Sequence, residues 1–134
     1  MAMVLVVNDD RDMLDMYEAL IRQFGHEVVT ETIVESGPDA VRAVRADALM
    51  VDLRQPDDRE YGLRLIEDVR ADPEVSYIPI ILCSGAIEQI GPLLPRLQSL
   101  QVPVLPKPFH ADELEQVLAS ALAGQSAGLH GNAP

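Results

Sequence analysis

Five short apolar runs set the terms for any fold of this chain: MVLVV (3–7), EVVT (27–30), ALMV before Asp52, IPIILC before Ser84 and VPVL before Pro106. The longer ones do not alternate apolar with polar residues. Each must therefore be covered on both faces, as in a parallel sheet, and the cover has to come from the segments between them. Those segments carry a helical period. Met13, Met16, Tyr17, Leu20, Ile21 and Phe24 fall on one helical stripe, and Gly25 stands where a helix terminator belongs. SGPDAV opens a second helix, with Ser36 or Gly37 as cap and Pro38 in its first turn. Leu65, Ile66 and Val69 mark the apolar face of a third, and Leu114, Val117, Leu118, Ala121 and Leu122 that of the last. The fourth, from Glu88 to Leu100, contains Gly91, Pro92 and Pro95, so a short, kinked or partly irregular helix is expected there.

Strand and helix alternate throughout, which implies βα units with right-handed crossovers: an α/β parallel sheet with helices on both faces. The 134 residues, 48% of them hydrophobic, suffice for one domain with a real core. That domain is assigned to residues 1–123. Beyond it, the small and polar GQSAGLHGNAP reads as a flexible C-terminal tail, residues 124–134. The net charge of −12 disfavours nucleic acid and anionic membrane as partners. No apolar run approaches the roughly 20 residues of a spanning helix, and the start lacks a secretory pattern. With the lone Cys83, these features suggest a cytoplasmic protein.

In such sheets ligands bind beyond the carboxyl ends of the strands. Asn8, Asp9 and Asp10 follow the first strand, Asp52 ends the third, Ser84 the fourth and Lys107 the fifth, so all share one edge. Three carboxylates there need protons or a hard cation between them, and Mg2+ commonly takes one or two carboxylates and several waters. Lys107 adds a compact positive charge and Ser84 a hydroxyl. A carboxylate, a metal and an ammonium group are the parts needed to move a phosphoryl group onto an aspartate, with Asp52 as nucleophile.

VNDD, SGPDAV, VDLRQP with Asp52 and Pro56, IPIILCSG with Ser84, and LPKPF with Lys107 stand in this order and at suitable spacing. Together they resemble the receiver domains of two-component response regulators, over about residues 3 to 123. The resemblance implies a flavodoxin-like (βα)5 fold with strand order 2-1-3-4-5. It implies that Asp52 accepts a phosphoryl group from a histidine kinase or phosphotransfer protein. It implies Mg2+ held by Asp9, Asp52 and the backbone carbonyl of Arg54. Ser84 and Lys107 would contact the phosphoryl group, and output would run to a protein target through helix 4, strand 5 and helix 5. The Lys107–Pro108 peptide is often cis in this family.

Several residues depart from the family pattern. Asn8 replaces the usual first acid, so it is either an outer-sphere ligand acting through water or a plain strand cap. Asp10 is an accessory acid or helix cap ahead of a direct ligand. Val104 stands where a switching aromatic is common, and the loop from Asp52 to Gly62 looks long. Cys83 and the helix-one methionines fit core packing, and the three histidines lack metal-ligand spacing. Two other functions follow from these departures. One is a pseudo-receiver, a constitutive protein-interaction module. The other is a small phosphohydrolase, disfavoured because Arg54 stands where its second acid would be.

Overall fold

The computed structural model describes residues 1–52, 61–85 and 91–131, the last seven as backbone only. Its strands are β1 (Met3–Val7), β2 (Glu27–Glu31), β3 (Ala48–Asp52), β4 (Ile80–Ser84) and β5 (Val104–Pro106). Its helices, among the described residues, are α1 (Arg11–Gln23), α2 (Gly37–Val44), α3 (Tyr61–Ala71), α4 (Leu94–Ser99) and α5 (Ala111–Gly131), with a 3-10 turn at Gly91–Leu93 leading into α4. All strand pairs are parallel, in the order β2-β1-β3-β4-β5. This is the flavodoxin-like arrangement.

The apolar runs fail to alternate because both faces of the sheet are core. Leu5, Val7, Leu49, Val51, Ile80 and Leu82 face one way, onto Val41, Leu65, Ile66, Val69 and Leu97 of α2, α3 and α4. Val4, Val6, Ala48, Met50, Ile81 and Cys83 face the other, onto Leu14, Tyr17 and Ile21 of α1 and Leu114 and Leu118 of α5. Each fully buried Leu, Ile or Val contributes roughly 1.5–3 kcal/mol, which outweighs a few tenths of unfavourable helix propensity. Packing rather than propensity therefore holds α2, whose eight residues are too few for a stable isolated helix.

The ends of the helices follow local chemistry. Asp10 caps α1, its carboxylate accepting from the amides of Asp12 and Met13, and Ser36 caps α2 by accepting from Asp39. Gly25, after α1, has φ +95°, the left-handed region that glycine enters without strain. Prolines 92 and 95 leave α4 only six residues long. The Glu88 start expected for this helix lies outside the described residues. The backbone of α5 continues helically to Gly131, seven residues past the start of the expected tail.

At the edge where strands begin, one arginine ties several segments together. Arg70, in the last turn of α3, donates to the carbonyls of Ser76 and Ile78 before β4 and of Leu100 and Gln101 before β5. Burial pulls its pKa below the ordinary arginine value. On the same side of the sheet, Tyr61 Oη accepts from the Val34 amide and donates to its carbonyl, joining the start of α3 to the segment before α2.

Candidate functional site

Parallel pairing puts the ends of β1 and β3 side by side, with Val7 aligned to Val51. The next residues along each strand, Asn8 and Asp52, are thereby neighbours although 44 positions apart. Asp52 in turn aligns with Cys83, and Ser84 with Pro106. Asn8, Asp52 and Ser84 are the buried polar residues among those described, at 1%, 5% and 1% exposure. A carboxylate so deep must be paired, because burying it alone costs several kcal/mol, roughly.

Two donors converge on Asp52 Oδ2. Asn8 Nδ2 donates to it at 3.0 Å, and Lys107 Nζ forms a short ion pair with it. The Asn8 amide is oriented by its other end, because Oδ1 accepts from the Asp10 amide at 2.9 Å. The reverse orientation would set the amide oxygen against a carboxylate and two donors against each other. Lys107 is positioned by its own backbone, whose N–H donates to the Ser84 carbonyl at 2.8 Å. The Lys107–Pro108 peptide is cis. Asp9 is exposed at the same edge, while Asp10 is half-buried and occupied in capping α1. The Arg54 carbonyl, Pro56 and most of the long loop lie outside the described residues.

The expected residues are thus found together where the sheet topology requires: buried Asn8, Asp52 and Ser84, with the partly buried Lys107 paired to Asp52 and with Asp9 and Asp10 beside them. No group of three or more acidic, His or Cys side chains suited to a metal occurs among the described residues. The donor chemistry still fits Mg2+. Asp9 and Asp52 offer hard carboxylate oxygens, in the number this ion commonly takes from protein.

Three features escaped the sequence reading. Asn8 is a hydrogen-bond donor to the central aspartate, a contact between side chains 44 positions apart. Met16 lies on the apolar stripe of α1 yet is 37% exposed. With Met13, Gly85, Lys107, Pro108 and Phe109 it lines an open hollow of about 460 Å³ beside the site, so it is only partly a core residue. Beneath Asp52, Tyr17 and Cys83 are both buried and adjoin each other. Desolvation, and then the Cys83 thiol, push the Tyr17 hydroxyl far above its ordinary pKa. Desolvation pushes Cys83 up to about 12.

A family model described as the response regulator receiver domain matches residues 4–119. Among solved structures, a sensor protein from Polaromonas sp. JS666 is similar at 26% identity and TM-score 0.75, covering 92% of this chain and 98% of that one. The receiver domain of the sensor histidine kinase PA1611 from Pseudomonas aeruginosa PAO1, with a magnesium ion coordinated in its active-site cleft, is 28% identical at TM-score 0.70, covering 91% of this chain and 98% of that one. Protein RcaC of Microchaete diplosiphon is 28% identical over 81 residues, which are 60% of this chain and 12% of that protein. The chain therefore spans about an eighth of this curated relative. Its match over most of its length, on a sheet of order 2-1-3-4-5, makes it a member of the response regulator receiver domain family.

Proposed function

We propose that Asp52 accepts a phosphoryl group from a phosphohistidine of a histidine kinase or phosphotransfer protein. A buried carboxylate at the carboxyl end of the central strand, paired with the Lys107 ammonium, is the observation that carries this reading. An Asp52 oxygen attacks phosphorus as the P–N bond breaks. The electron pair leaves with the imidazole nitrogen, which takes a proton. Lys107 neutralises charge on the phosphoryl oxygens and the Ser84 hydroxyl hydrogen-bonds to one of them. Bound Mg2+, with Asp9, Asp52 and the Arg54 carbonyl as its proposed ligands, supplies further charge neutralisation. The family and the PA1611 receiver support this assignment.

The domain unit is residues 1–123, and it acts as a switch rather than as an enzyme with its own small-molecule substrate. Output passes through the surface of α4, β5 and α5 to a protein target. The negative charge makes nucleic acid an unfavourable partner for this chain. No helix among the described residues is long and apolar enough to cross a membrane, in keeping with a cytoplasmic setting. Incubation with acetyl phosphate and Mg2+, followed by intact mass measurement, is expected to give one phosphoryl adduct in the wild type and none in Asp52→Asn. Absence of an adduct from the wild type under every donor and metal condition would overturn the assignment and leave a constitutive interaction module.

A further inference from the structure

The acceptor carboxylate has a donor that a cation does not have to replace. Asn8 is 1% exposed, and both ends of its amide are used: Nδ2 on Asp52 Oδ2 at 3.0 Å and Oδ1 under the Asp10 amide at 2.9 Å. A carboxylate at position 8 would lose the first bond and set a second negative charge against Asp52, and only a cation or a proton would relieve that. An amide needs neither. Around the acceptor the charges of Asp9, Asp10 and Asp52 are partly offset by Lys107, so the net attraction for a divalent ion is modest. A bound phosphoryl group adds negative charge and restores it.

We propose that Asn8 is the resident donor of the phosphoacceptor. It is a positioning residue that holds Asp52 in place without a cation, and its neutrality keeps Mg2+ binding weak until a phosphoryl group is present. The proposal rests on Asp52 being the acceptor, and its tests separate the two ideas. Asn8 belongs to the protein's resting state, so stability and metal affinity report on it directly, independent of any phosphorylation.

The experiment is calorimetric titration of the full chain with Mg2+, with and without beryllium fluoride as a phosphoryl mimic, together with thermal unfolding in EDTA and in Mg2+. Wild type, Asn8→Asp and Asn8→Ala are compared. Asn8→Asp is expected to bind Mg2+ alone about ten- to a hundredfold more tightly than wild type, the range found when groups around metal ligands are altered. Asn8→Ala is expected not to gain affinity. In EDTA both variants should melt lower than wild type, Asn8→Asp by about 5 °C or more, with Mg2+ restoring only Asn8→Asp. Beryllium fluoride should tighten Mg2+ binding to wild type about tenfold or more. Equal Mg2+ affinity of wild type and Asn8→Asp, a gain in Asn8→Ala as large as in Asn8→Asp, or an Asn8→Ala melting point in EDTA equal to wild type would each overturn the role of Asn8. No tightening by beryllium fluoride in a protein that does form the acetyl phosphate adduct would overturn the dependence on the phosphoryl group. A missing adduct beside the expected behaviour of the Asn8 variants would instead remove Asp52 as acceptor.

Discussion

A carboxylate at 5% exposure is stable only while its donors hold it, and Asn8 and Lys107 meet on a single oxygen of Asp52. Removing one member of a buried ion pair leaves the other charge stranded. Lys107→Ala is therefore expected to cost about 3 kcal/mol in urea unfolding at neutral pH. Removing the charge on the other side as well should recover much of that loss, so Asp52→Asn/Lys107→Ala should be clearly less destabilised than the sum of the single variants. Simple additivity would show that the pair contributes nothing as a pair. At this scale the sequence was informative about which residues share one edge of the sheet and silent about how they join. Asp52, Ser84 and Lys107 are legible because each ends an apolar run. The Asn8–Asp52 bond is not, because it depends on strand register across 44 residues and on which end of an amide faces which neighbour.

Among the elements, the three inner strands were the most legible, since burial on both faces leaves an unmistakable apolar run. Helix α1 begins and ends where Asp10 and Gly25 indicate, and α2 begins where Ser36 does. The fourth helix was foreseen as poor because proline removes backbone donors, and among the described residues it is a 3-10 turn followed by the six residues of α4, with Leu97 buried. The helical backbone of α5 runs on past Gly124, where alanine and leucine favour helix against the intervening glycine and serine. A tighter constraint sits between α2 and α3. A Cβ on Gly37 would meet Val69 Cγ2 at 3.0 Å and both Leu65 Cγ and the Leu65 carbonyl at 3.2 Å. Gly37→Ala is expected to destabilise by about 1–2 kcal/mol, read as a lower denaturant midpoint with unchanged slope. An unshifted midpoint would mean that α2 can slide outward freely.

For the whole molecule, acid stability reports on contacts that bind separate elements. Arg42 of α2 donates to Asp72, just past α3, at 2.7 Å, and also reaches Asp39 and Glu74. The hydrogen bond from Arg42, then that from the Glu74 amide, hold the Asp72 carboxyl below its ordinary value of 3.8. Between the folded and unfolded values the native state binds fewer protons at Asp72. Its stabilising contribution is therefore complete above the unfolded value and is lost as pH falls through the folded one. The stability difference between wild type and Arg42→Ala should be constant above about pH 5 and shrink steadily below it. A gap that widened on acidification would refute the assignment.

The buried Asp52 and its donors stand at one edge of the sheet, and the Arg70 collar lies at the other, gripping the chain just before β4 and just before β5. Those are the two strands that deliver Ser84 and Lys107 to the site. Where each strand starts along the sheet decides how far along it Ser84 and Lys107 come to stand, so a single side chain at the far edge sets the reach of both.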